Sequence, residues 1–102
     1  MGPAPHELRF TAEAAGVLRD LEGDAHLSKK LAKVRRALGR LQVDPRYPSL
    51  QSHKYTSMRG VNGEDVWDSY VENKTPGAWR IFWHYGPGAN EITVVSITPH
   101  PK

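Results

Sequence analysis

Residues 26–45 read HLSKKLAKVRRALGRLQVDP. Within this stretch Leu27, Leu31, Val34, Leu38 and Leu41 are spaced four, three, four and three. Only an α-helix, at 3.6 residues per turn, puts such a series on one stripe. Asp24 is the expected cap, and Asp44-Pro45 ends the helix, because the residue before proline avoids helical dihedrals. A helix with one apolar stripe must bury it against another layer. Gly39 stands inside the pattern with no evident reason and costs about 1 kcal/mol against alanine.

Working upstream, Gly23 is a helix stop and Thr11 a helix start, with Glu13 in the first turn. Ala14, Val17, Leu18 and Leu21 make the stripe of a first helix over residues 11–22. The short connection between the two helices predicts an antiparallel helical hairpin. Before it, Leu8 and Phe10 alternate with polar residues, a short strand over 7–10.

Downstream, residues 46–62 read as a loop, with Leu50 and Tyr55 pinning it to the core. Alternation then marks strands over 65–72, 78–85 and 91–98, the last carrying Ile92, Val94, Val95 and Ile97. Lys74-Thr75-Pro76-Gly77 and Gly86-Pro87-Gly88-Ala89-Asn90 are turn chemistry, so these strands form a meander. The expected architecture is α+β, β-α-α-β-β-β: a mainly antiparallel sheet with the helical hairpin packed on one face. At 102 residues it is expected to be one domain.

Composition narrows the function. There are no cysteines, which excludes disulfides, thiolate metal sites and a cysteine nucleophile. No run of about 18 apolar residues predicts a membrane span, and residues 1–9 lack the apolar core of a signal peptide, so a cytoplasmic protein is expected. Neither a phosphate-binding glycine loop nor the H-E-x-x-H metal spacing occurs.

The net charge of +3 is modest, but its placement is uneven. Residues 26–42 hold six Lys or Arg and no acid. Lys29, Lys33, Arg36 and Arg40 form a ridge beside the leucine stripe. Like charges so close repel, and a phosphate backbone or an acidic protein would relieve them; a merely solvating face would usually mix signs. His53, Lys54 and Arg59 add cations and an imidazole in the segment read as a loop. On the strand over 78–85, Trp79, Ile81, Trp83 and Tyr85 point one way and Arg80, Phe82 and His84 the other. The helices should cover the first set. The second then lines an open face, with Phe82 as a base-stacking surface. An ordinary cross-strand pair of Arg80 with Asp68 or Glu72 fits the same positions.

Four segments, in order, resemble the toxins of the RelE/ParE superfamily. Leu38-Gly39-Arg40-Leu41-Gln42-Val43-Asp44-Pro45 is similar to that family's L-x-x-L-x-x-D-P helix end, and Ser49-Leu50-Gln51-Ser52-His53-Lys54-Tyr55 to the segment that follows. Gly77-Ala78-Trp79-Arg80-Ile81-Phe82-Trp83 resembles its arginine strand, and residues 92–97 followed by His100 its last strand and terminal histidine. The resemblance implies a toxin of a type II toxin–antitoxin pair with a small acidic antitoxin as partner. It further implies a metal-independent, cofactor-free endoribonuclease that cleaves mRNA on the ribosome and so inhibits translation. Arg80 would then neutralise the phosphate, and His53 and His100 would transfer protons. Lys54 and Arg59 would bind RNA, with Lys29, Lys33, Arg36 and Arg40, with Phe82 and Tyr70, and with His84 as a spare candidate. Where the RNases carry a basic residue on the first meander strand, this chain has Asp68, Tyr70 and Glu72. That departure leaves open a non-enzymatic, ParE-like inhibitor of DNA gyrase, or a member that only binds its antitoxin.

Overall fold

The computed structural model describes residues 5–73 and 77–99. His100, Lys74, Thr75 and Pro76 lie outside the described residues, and with them the first of the two predicted turns. In chain order the elements are β1 (Glu7–Phe10), α1 (Ala12–Glu22), α2 (Ser28–Val43), β2 (His53–Arg59), β3 (Asp65–Tyr70), β4 (Trp79–Tyr85) and β5 (Glu91–Pro99). Two helices pack on one five-stranded mixed sheet of order β1-β5-β4-β3-β2. The expected α+β class and helix-covered face hold, as does the β3-β4-β5 meander.

Local chemistry accounts for most of the boundaries. The Thr11 hydroxyl accepts from Ala14 N and donates to Val95 O, which starts α1 and ties it to β5. Asp24 does not cap α2. Its carboxylate accepts from His26 N and opens a 3₁₀ turn over Ala25–Leu27, so α2 starts later than the leucine spacing suggests. Leu27 is correspondingly 37% exposed and drops out of the core, while Val34, Leu38 and Leu41 stay in it. β1 runs parallel to β5, Leu8 opposite Ile92, and every other pairing is antiparallel.

The main correction is β2. Part of the segment read as a loop is an edge strand paired with β3, with a register shift between Lys54 and Arg59. The edge position explains the misreading. Only Tyr55 and Met58 of its seven residues are half-buried, and their spacing of three is not the alternation of a strand.

The core lies between the helices and the sheet, where Ile81 and Trp83 of β4 meet Ala14, Leu21, Val34 and Leu41. Leu50 joins that core as expected. Tyr55 does not; it crosses to the helix-free face and packs on Phe82, ring centroids 4.9 Å apart. No described helix is long and apolar enough to cross a membrane.

Candidate active site

Strand parity sorts the polar side chains between the two faces. On the helix-free face, β3 presents Asp68 and Tyr70 and β4 presents Arg80. The register pairs Asp68 with His53 of β2 and Tyr70 with Arg80. Side chains from three strands, His53, Tyr70 and Arg80, therefore gather beside the Asp68 carboxylate.

Asp68 is fully buried. The Arg80 Nη1 lies 3.4 Å from both of its oxygens, and the His53 Nε2 is 3.5 Å away on the other side. The Arg80 guanidinium carbon lies over the Tyr70 ring, 3.5 Å from its centre, a cation–π contact that helps hold the fork in place. Among the described residues, Nε of Arg80 is buried without a hydrogen-bond partner. Native structures rarely leave such a donor unspent, and where they do a ligand or a functional strain is the usual reason. The His53 Nδ1 donates to Gln51 O at 3.0 Å, because a carbonyl oxygen can only accept. The imidazole is thus oriented from one side by backbone, with Nε2 turned toward Asp68 and the ring half exposed.

The structure brings His53, Tyr70 and Arg80 onto one face; His100, the third member of the expected convergence, lies outside the described residues. The fold separates the others. Lys54 sits opposite Trp67 on the helix-covered side of β2, where its ammonium is 3.3 Å from Asp65; Arg59 is 2.6 Å from the same carboxylate. Phe82 shares the open face but is fully buried, so it cannot serve as the stacking surface predicted for it; Tyr55 covers it. His84 is buried too, its Nδ1 held by Tyr85 O and its Nε2 4.0 Å from Glu64.

The ridge of α2 lies behind the sheet from Arg80. Lys33 is 3.3 Å from Glu72 and Arg40 donates to Ser49 Oγ, while Lys29 and Arg36 are exposed. Glu72 also meets Lys30 and accepts from Trp79 N, joining α2 to the start of β4. Asp68 is the member the sequence reading did not rank as a site residue. The cross-strand pair weighed for Arg80 forms with Asp68 and not with Glu72, which turns to Lys30 and Lys33 instead.

No family model matches the sequence, and no curated protein does. Solved structures do match its shape. A YoeB/ParE toxin from Agrobacterium tumefaciens superposes with a TM-score of 0.68 at 9% identity, covering 93% of this chain and 99% of that one. The archaeal RelE of a RelE–RelB complex from Pyrococcus horikoshii gives 0.63 at 10% identity over 93% and 94% of the two chains. YoeB of Staphylococcus aureus, solved as a dimer, gives 0.61 at 14% over 96% and 100%.

This is the RelE/ParE toxin fold.

Within the RelE/ParE fold, the helix-free face of the sheet is the one that carries the Arg80 cluster. β5 brings Thr98 beside Arg80 and ends at Pro99, opposite Trp79. His100 is the next residue in sequence, outside the described residues.

Proposed function

We propose that this chain is the toxin of a type II toxin–antitoxin pair and a metal-independent endoribonuclease acting on mRNA at the ribosome. The supporting observation is the Arg80 guanidinium: held over the Tyr70 ring on the helix-free face, the same face as the oriented imidazole of His53. A planar fork of donors suits two phosphate oxygens at once.

In this reading a base removes the proton of the RNA 2′-hydroxyl. The 2′ oxygen bonds to the adjacent phosphorus, the bond to the 5′ oxygen breaks, and an acid protonates that leaving oxygen. The products are a cyclic phosphate and a 5′-hydroxyl end. Arg80 holds the phosphorane's extra negative charge. His53 and His100 are the proton-transfer pair, imidazole being the group suited to both directions near neutral pH. The archaeal RelE neighbour, solved in complex with RelB, supports an antitoxin partner; for this chain a small acidic protein would suit the basic surface.

Induced expression followed by primer extension on translated mRNA tests this. Cuts bearing 5′-hydroxyl ends are expected from the wild type and are lost in Arg80→Ala and His100→Ala. Cutting by either variant at the wild-type rate would end the mechanism.

One observation favours a second reading. The buried Asp68 already occupies Arg80, offsetting the charge a phosphate would use. A toxin that inhibits gyrase by contact needs no free arginine, and it would give DNA damage signalling, no mRNA cuts and indifference to His100→Ala.

A further inference from the structure

A second concavity opens on the opposite, helix-bearing side of the sheet, beyond the end of α2. It encloses about 480 Å³, within the range of small-molecule sites. Its floor is aromatic. The Trp67 and Trp83 rings lie 6.0 Å apart and 20° from parallel, and Tyr85 stands edge-on to both. The Trp83 ring is 1% exposed and its indole N–H is spent on Ser69 Oγ, so it backs the stacked Trp67 ring rather than meeting a ligand itself. The opposite wall is Tyr47 between two prolines.

Among the described residues, apart from those prolines, no aliphatic side chain lines the concavity and no carboxylate does. The polar groups are few: the Gln51 amide, the Ser52 hydroxyl and the Arg46 guanidinium. Ser52 is committed to Pro45 O and Ser69, which leaves the amide and the cation for a ligand. The adjoining rim is also cationic, with the Arg40 guanidinium 5.0 Å from the centre of the Tyr47 ring. Flat aromatic walls, one amide able both to donate and to accept, and a cation at the mouth are the elements that recognise an unstacked nucleobase carrying a phosphate. An aliphatic or acidic-lined cavity would not offer them.

Gln51 also links this concavity to the Arg80 cluster. The residue lines the former, while its carbonyl oxygen holds the His53 imidazole in the latter. It adopts φ 45°, a left-handed conformation uncommon for a side-chain-bearing residue and frequent where strain serves a site. The strand leaves this residue at the sheet's edge, so one ligand could pass from face to face there.

We propose that the concavity of Tyr47, Trp67 and Tyr85, with Gln51 and Arg46, is a nucleobase-binding subsite holding a base next to the one at the Arg80 cluster. This deepens the nuclease reading and rests on it for its biological use, although the binding can be measured without cleavage.

The chain's three tryptophans give the test its internal control, because Trp79 lies elsewhere, beside Lys30. The indole N–H resonances are followed by NMR during titration with each nucleoside 5′-monophosphate, with a Trp79→Phe variant to assign the third peak. Saturable shifts of Trp67 and Trp83 are expected, with Trp79 unmoved and affinity on the order of millimolar for a free mononucleotide. Adenosine should shift the same two peaks more weakly, and inorganic phosphate should leave them in place. Tyr47→Ala and Arg46→Ala, both at exposed positions, should each weaken binding by about tenfold, and Tyr47→Phe should retain it. Flat titrations, equal movement of Trp79, or full binding by Tyr47→Ala would overturn the subsite, as would an unlabelled apolar peptide shifting the indoles where no nucleotide does. Binding without any mRNA cutting would overturn the nuclease reading alone; cutting without indole shifts would overturn the subsite alone.

Discussion

Asp68 and Arg80 set the character of the site at the level of single residues. A buried carboxylate is costly unless paired, and so is the guanidinium above it, whose side chain is 11% exposed. Removing one partner therefore costs more than the pair contributes. Asp68→Ala should lower the unfolding free energy by about 3 kcal/mol, read from urea denaturation. A change within experimental error would show that the two charges are held by something else. Arg80→Lys replaces a flat fork with a point charge that cannot lie on Tyr70. It should reduce mRNA cleavage by about 100-fold while leaving the fold intact by circular dichroism. Gly39 carries the opposite lesson. It sits exposed inside α2, and a Cβ there would meet nothing within 4 Å. Its cost was legible in the sequence, and no packing reason for it emerges in the fold. Gly39→Ala should raise stability by about 1 kcal/mol with cleavage unchanged.

Individual elements were legible to the extent that burial imprinted a period on them. α2 was readable because Val34, Leu38 and Leu41 all face the core, and β4 because its two faces differ chemically. β2 was not, since an edge strand with a register shift owes its place to backbone pairing rather than to an apolar face. The same blindness misplaced Lys54, which a loop could have turned toward His53 but a strand turns away. The juncture of α2 with the sheet rests on Glu72, only 12% exposed. Burial pushes its carboxyl up, but the Lys30 ammonium, the Trp79 N–H and Lys33 outweigh that and hold it below the usual range. An unfolded glutamate titrates near about 4.3. Because the folded value is the lower one, this contribution is complete above that pH and is lost as pH falls through the folded value. The stability difference between wild type and Glu72→Gln should therefore be largest near neutrality and shrink on acidification below about pH 4. A difference constant with pH would mean that Glu72 acts through packing and not through charge.

Across the whole molecule the sheet divides two kinds of positive charge. On one side Arg80 is held by a buried acid in a cluster suited to a single phosphate. On the other, α2 carries its cations on the helix-covered side, the arrangement that the two unlike faces of β4 already imply in the sequence. Lys30 and Lys33 are committed to Glu72. Among the described residues Lys29 and Arg36 have no ion-pair partner, so the repulsion along the ridge remains available for an anionic surface to relieve. The ridge cannot touch the phosphate that Arg80 holds. Its contribution to the proposed activity must then be to association with a larger polyanion, and that kind of binding is salt-dependent through released counterions. Lys29→Glu combined with Arg36→Glu should weaken binding to ribosomes and reduce the slope of log affinity against log salt by about two. The nucleotide titration of the aromatic concavity should be unaffected in the same variant. An unchanged slope would assign the ridge to the antitoxin instead, and the double variant should then lose affinity for that acidic partner while still cutting mRNA at the wild-type rate.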